Sequence, residues 1–429
     1  MLSKTKKIAL LTTGLVGALV TSSAVGVALS SCSSTTTTTD ENTKYNTYIN
    51  WSDPNALANL VVDESGLVYS DIYKTTIIAV TPSFTSTTVT IPSSVTSITG
   101  YTEVLPSGET IVRGAFQPTA STTGTSVQSG VTLANTISTV KFAANSKLKS
   151  IGAKAFYGCT LLQSIDLPSS VTMIGANAFY GCTLLNSISL TNVEYVGEYA
   201  FYNVATNLAS PSIKISLNKA IVIGNYAFQN AKITGVDFSS NTSLISLGNY
   251  AFNGCTSLTG TVDLSKATSL LSTGTYTFQN CTGITAVNLP SSITTIGDYA
   301  FSGCTAIANT IDISGATKLS TIGTSAFQNC TSLTGLSYPT SAPITSFGSN
   351  AFSGCTALSQ LGTVADTFTA PAALTNIASS AFAGTKIATV DISNMTTATP
   401  FSASALANMT SLSKVVFSST ITTLPANLF

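Results

Sequence analysis

The sequence predicts an α/β-type solenoid, β-dominated, with one parallel β-sheet and short helical turns on the opposite side. Two observations carry this. The stretch Ile151-Gly152-Ala153-Lys154-Ala155-Phe156-Tyr157-Gly158-Cys159 returns almost at once as Ile174-Gly175-Ala176-Asn177-Ala178-Phe179-Tyr180-Gly181-Cys182. Its Ala-Phe or an equivalent then recurs at Phe201, Phe228, Phe252, Phe278, Phe301, Phe327, Phe352 and Phe382, in steps of 22 to 30 residues. A period in the twenties, sustained this long, marks stacked repeats. No single repeat can bury its own apolar face, so each depends on its neighbours.

In chain order, 1–31 reads as a lipoprotein signal peptide. Lys4, Lys6 and Lys7 make a positive start and Ile8–Leu29 is apolar. That run could span a bilayer, so length alone also allows an uncleaved anchor. Leu29-Ser30-Ser31-Cys32 decides for cleavage, because it resembles a bacterial lipobox, in which the cysteine becomes the lipid-modified first residue. Acyl chains on Cys32 would hold the protein to a membrane at about 0.8 kcal/mol per buried CH₂. Residues 32–47, with Thr35–Thr39 and Asp40-Glu41-Asn42, cannot bury apolar area and read as a disordered Ser/Thr tether.

Residues 48–145 read as an N-terminal cap merging into irregular first repeats. Leu60-Val61-Val62 and Leu67-Val68-Tyr69 flank Asp63-Glu64-Ser65-Gly66 as a hairpin would. Ile77–Val80 is a further strand. Ala115-Phe116 is a partial repeat, followed by a Ser/Thr/Gly-rich insertion around Pro118–Gly130. A cap shields the edge strand that an open solenoid would otherwise expose.

Residues 146–429 are the regular array. In Leu162-x-x-Ile165-x-Leu167, Ile165 and Leu167 share one face of a strand, and Pro168 ends it. Val171 and Ile174 return to the core, and Gly175 is expected to permit a tight turn. The spacing Ala178-Phe179-x-x-Cys182 reads as about one helical turn. Stacking at about 4.8 Å per coil would pair the strands and build an internal column of Phe rings.

The motif I-G-x-x-A-F-x-x-C-x-x-L-x-x-I-x-L-P resembles the BspA-type leucine-rich repeat, a family of bacterial cell-surface repeats, over roughly residues 85–429. The resemblance implies a curved leucine-rich-repeat solenoid that is displayed on a cell surface, binds partner proteins and has no catalytic activity.

Composition agrees with a non-catalytic reading. Charged residues are 8% of the chain, against about 25% in a typical soluble domain. Without the leader lysines, 14 basic and 17 acidic side chains remain, which argues against a nucleic-acid partner. There is no histidine, so histidine triads and metal sites are excluded. Gly-x-Ser-x-Gly does not occur, and no cofactor is expected.

Seven cysteines, Cys159, Cys182, Cys255, Cys281, Cys304, Cys330 and Cys355, each follow a repeat Phe by three residues. Val204, Ala231 and Thr385 fill the same slot elsewhere, so it asks for a small buried group rather than for a disulfide or a soft metal. The Phe column reads as core, and Phe301→Ala should cost about 3–5 kcal/mol.

The outward slot of I-x-L holds Asp166, Ser189, Ser216, Asp237, Asp263, Asn288, Asp312, Ser337 and Asp391. Two readings stand. The file is a solvated strand position, at some cost in carboxylate repulsion. Or Asp166, Asp237, Asp263, Asn288, Asp312 and Asp391 mark a partner-binding face. An encircling calcium loop is not present, and no metal is expected. The expected protein is thus lipid-anchored through Cys32 on the outer side of a bacterial cell membrane, where it adheres to a host or neighbouring-cell protein. The alternative is a passive coat or antigenic decoy. A glycan-binding module would need exposed aromatic platforms, which the strand slots lack.

Overall fold

Each coil carries two short strands, and stacking turns them into two kinds of parallel ladder. The computed structural model describes residues 48–49, 60–81, 84, 86–104, 110–116, 136–339 and 341–429. The leader, Cys32, the tether and the insertion at 118–130 lie outside the described residues. The described residues fall into two units, those within 48–216 with Ile223–Ile233, and Leu217–Val222 with those within 234–429. Both are β-solenoids, with about twelve coils in all.

The first unit contains the hairpin expected around 63–66. Val61–Val62 pairs antiparallel with Leu67–Tyr69, which pairs antiparallel with Thr76–Val80. From there a parallel ladder runs through Ser97–Ile98, Ser150–Ile151, Met173–Ile174 and Tyr195–Val196, and it stacks Ile98, Ile151, Ile174 and Val196. A second ladder, Thr88–Ile91, Thr139–Phe142, Ser164–Ile165 and Ser187–Ile188, stacks Val140, Ile165 and Ile188. The second unit repeats the scheme. Thr295–Ile296, Thr321–Ile322, Ser346–Phe347 and Asn376–Ile377 form one ladder. Thr310–Asp312, Gly335–Ser337, Gln360–Leu361, Thr367–Thr369, Thr389–Asp391 and Lys414–Val416 form the other. The expectation of one sheet is therefore corrected. The residues leading into each Ile-Gly or its equivalent are extended too, with the second residue of the pair (Ile98, Ile151, Ile174, Val196, Ile296, Ile322, Phe347 and Ile377) buried in the core. Ser or Thr often precedes it, but Met173, Tyr195 and Asn376 stand at that slot too.

The expected helical turns are also absent: no helix occurs among the described residues. The Ala-Phe segment is a ribbon of turns whose N–H groups alternate between local and neighbouring acceptors. Ala155, Tyr157 and Cys159 donate three residues back, to Gly152, Lys154 and Phe156. Lys154, Phe156 and Gly158 donate instead to Ala176, Ala178 and Tyr180 of the next coil. A left-handed residue every fourth position, Lys154 at φ 57° and Gly158 at φ 68°, turns these groups outward and forbids a helix. The i, i+3 spacing of Phe and Cys is thus the spacing of a turn closed by one local hydrogen bond.

Gly175 does not serve a left-handed turn either. A Cβ on it would lie 2.5 Å from Ala153 N, and one on Gly197 2.5 Å from Ala176 N. Glycine at this slot lets one coil's backbone pass against the next.

Inside, the Phe rings stack. Phe116, Phe156, Phe179, Phe201 and Phe228 follow one another at 4.9–5.2 Å with nearly parallel planes. Phe252, Phe278, Phe301, Phe327 and Phe352 do so at 5.2–5.5 Å. The stack loosens to 6.3 Å between Phe352 and Phe382. There the 30-residue step inserts an extra rung, Thr367–Thr369, and the rings of Phe347 and Phe368 join the core.

The abundant Ser and Thr do more than cover the surface. Thr294, Ser320, Thr345 and Thr375 each donate a side-chain hydroxyl to a carbonyl one coil back, at 2.9–3.3 Å. Hydroxyls on one edge thereby add a rung per coil to the backbone ladders.

Candidate functional site

The outward strand slot was the candidate from sequence, and its geometry is that of a strand exit. Asp237, Asp263, Asp312 and Asp391 each accept the backbone N–H two residues on, from Ser239, Ser265, Ser314 and Ser393, at 2.9–3.0 Å. Asp-x-Ser at these positions is therefore an Asx turn that closes the strand, legible in the sequence as a tripeptide. Asp237 also accepts the Asn218 amide at 2.6 Å and the Ser239 hydroxyl at 2.7 Å.

These bonds set the charge state. The Ser239 hydroxyl and N–H, with the Asn218 amide, hold the Asp237 carboxyl below the usual carboxylate range. Ser314 does the same for Asp312. Partial burial pulls Asp263 upward, but hydrogen bonds from Ser265 and Asn288 and the nearby Lys266 ammonium outweigh it, and the carboxyl stays low.

In the strand pairs that hold Asp263, Asp312 and Asp391, no carboxylate faces another carboxylate. Asp263 stands opposite Asn288, Asp312 opposite Ser337, and Asp391 between Thr369 and Val416. Asp166, Asp237, Asn288 and Asp312 are exposed, while Asp263 and Asp391 are half-buried. Asp166 belongs to the first unit and the others to the second.

The cysteine slot has an added feature. All seven thiols are buried and none of them is in a disulfide. The Cys182, Cys281, Cys304, Cys330 and Cys355 thiols donate to the carbonyls of Phe156, Phe252, Phe278, Phe301 and Phe327, one coil back, at 2.9–3.2 Å. Cysteine thus supplies a weak donor as well as small size. Burial pushes the Cys159, Cys182, Cys281, Cys304 and Cys330 thiols well up. They are inert by the ordinary rule that the thiolate is the reactive form. No group of side chains among the described residues is arranged to hold a metal ion.

Sequence reasoning missed an aromatic surface on the turn ribbon. Tyr157, Tyr180 and Tyr202 follow the repeat Phe by one residue and stack at 4.7–4.8 Å. Tyr199 and Tyr226 precede it by two and stack at 4.5 Å. Tyr199 meets Tyr202 edge to face at 5.7 Å, so the five rings form one continuous strip in the first unit. In the second unit Tyr250, Tyr276 and Tyr299 stack at 4.5 Å. All eight are half-buried. Partial burial, reinforced by neighbouring phenols, raises Tyr180, Tyr199 and Tyr276, so the hydroxyls stay protonated.

The five tyrosines two residues before Phe sit at φ 54–59°. For a bulky residue that conformation costs about 1–2 kcal/mol, at least as much as the 0.5–1.5 kcal/mol or so that an aromatic pair contributes. The signal was present in the sequence as Tyr-Ala-Phe and Phe-Tyr, but a search for aromatics on the strand slots passes over it.

With fold and surfaces described, the relatives can be placed. The model of the BspA type leucine rich repeat region matches in six copies, over residues 123–221, 221–359 and 321–429. The chain belongs to that family, whose members are leucine-rich-repeat scaffolds generally used for protein interaction rather than catalysis. Among solved structures, a leucine-rich repeat protein from Bacteroides ovatus is 21% identical, covering 86% of this chain and 90% of that one at a TM-score of 0.50. Another from Eubacterium ventriosum is 20% identical over 68% and 82% at 0.39. The pneumococcal vaccine antigen PcpA is 16% identical over 78% and 80% at 0.36. No curated protein sequence matches the chain.

Proposed function

We propose that this protein is a lipid-anchored surface scaffold that adheres to a protein on a host or neighbouring cell. The observation that carries the reading is Leu29-Ser30-Ser31-Cys32, placed after a basic and apolar leader and before a Thr-rich tether, in a chain of a protein-binding repeat family. Cys32 takes the acyl chains and holds the protein on the outer side of a bacterial membrane. The tether spaces the repeats from the lipid surface. The strand exits are the proposed contact surfaces, Asp166 in the first unit and Asp237, Asp263, Asn288, Asp312 and Asp391 in the second. Their carboxylates stay ionised at neutral pH where hydrogen bonds hold them low, which suits a basic protein surface.

Metabolic labelling with a radioactive fatty acid tests the anchor. Label is expected on the native chain and absent from Cys32→Ser. Label retained on that variant would refute the anchor. Saturable binding to host cells, lost when Asp237, Asp263 and Asp312 are all changed to Asn, would place the contact on the strand exits. Binding kept by that variant would remove the exits from the proposal. No binding by the folded native protein would favour the passive coat.

A further inference from the structure

We propose that the tyrosine strip of the first unit is a self-association surface, whose occupant is the same strip of a second copy of this chain. The inference stands apart from the anchor and from adhesion.

Its basis is the choice of residues at two slots with the same backbone. Among the described residues, the one two after the repeat Phe is left-handed and is Gly or Asn, as at Gly158, Gly181, Asn203 and Asn230. Those residues adopt the conformation at least cost. The residue two before Phe is left-handed as well, and Asn177 fills it comfortably. Yet the next two coils of the unit place Tyr199 and Tyr226 there. The slot is thus filled against the backbone's preference, in side chains that only half bury. A large, stiff, half-exposed side chain kept against local preference is the composition of a contact surface.

The stacking decides between occupants. Rings packed at 4.5–4.8 Å cover one another's faces. A sugar needs a free face to lie on, and these rings present edges and hydroxyls instead. A row of edges repeating at that interval is met group for group only by a lattice with the same repeat. An extended peptide advances about 3.3 Å per residue and falls out of step, whereas stacked coils recur at about 4.8 Å. A second copy carries that lattice and, under a two-fold axis, the same tyrosines. A phenol hydroxyl both donates and accepts, so like can face like with no polar group left unpaired. Without the leader lysines the chain carries only three more acidic than basic side chains, so net repulsion between copies is small.

Sedimentation velocity over a range of concentrations tests this. The chain from residue 32 onward carries Cys32→Ser, so that neither the apolar leader nor acyl chains can drive association. The test variant adds Tyr180→Gln, Tyr199→Asn, Tyr202→Gln and Tyr226→Asn, each borrowing a residue that fills the equivalent slot in another coil, such as Gln229 or Asn177. A concentration-dependent dimer is expected for the parent and a monomer for the variant, with unchanged circular dichroism. A parent that stays monomeric overturns the proposal, and so does a variant that still dimerises. Should the variant lose its fold, Asn177→Lys replaces it. The neighbouring coil carries Lys154 at that slot, so the lysine is tolerated, and the two-fold axis would repeat its charge across the interface. Dimerisation undiminished in folded Asn177→Lys would likewise overturn the proposal.

Discussion

Two columns of the turn ribbon share a left-handed backbone and hold different residues. Two positions after the repeat Phe, only Gly and Asn occur among the described coils. Two positions before it, Lys154, Asn177, Ser325, Asn350, Ser380 and Ser404 share the column with five tyrosines. The first column is filled as backbone sterics dictate. The second shows where another demand competes with them, and the competition is confined to five successive coils, from Tyr199 to Tyr299.

Substitutions along the ribbon sharpen this contrast. The largest effect belongs to the core that both columns flank. Phe301→Ala removes a fully buried ring stacked between Phe278 and Phe327 and should cost about 3–5 kcal/mol in chemical denaturation. In a one-dimensional array the loss should also split the transition, since each coil is held by its neighbours.

Gly175→Ala comes next, at about 1–3 kcal/mol, because its Cβ meets the backbone of the adjacent coil. Gly158→Ala should cost about 1–2 kcal/mol for a different reason. A Cβ there has nothing within 4 Å, so only the left-handed φ resists it. Equal and negligible losses at Gly158 and Gly175 would break the distinction between a glycine needed for φ and one needed for close approach.

Tyr276→Asn should change stability by no more than about 1.5 kcal/mol, since relief of backbone strain offsets the lost stacking. The smallest effect is at the strand exits. The folded Asp237 carboxyl lies below its unfolded value, so its hydrogen bonds stabilise the fold above the ordinary carboxylate pKa and are lost as pH falls through the folded one. Asp237→Asn should flatten that acid dependence slightly and alter neutral-pH stability by about 0.5 kcal/mol or less, because the group is exposed.

Much of this molecule can be read before any coordinates exist. The recurring Ile-Gly and Ala-Phe give the solenoid, and period-2 spacing at Ile165 and Leu167 gives a strand. The cap hairpin at 63–66 follows from its turn residues. Three things escape. The Phe-to-Cys spacing fits a helical turn as well as a chain of reverse turns, and only the recurrent Gly or Asn after Phe distinguishes them. Gly175 looks like a turn former because close approach between coils is a property of the stack. The tyrosines are visible as letters, but their meeting across coils depends on which side of the ribbon they leave from. Asp-x-Ser, by contrast, already states the turn that occupies four of the five aspartates of the candidate face, all but Asp166.

The most direct measurement is the thermal midpoint at several protein concentrations, for the same Cys32→Ser chain from residue 32 onward, with and without Tyr199→Asn and Tyr226→Asn. Association of folded chains makes a midpoint rise with concentration. We expect the parent's midpoint to rise and the variant's to stay constant, the two nearly meeting at high dilution. A variant far less stable than the parent even when dilute, with a loss on the scale of Phe301→Ala, would contradict the account. The tyrosines would then belong to the fold of one chain rather than to a contact between two.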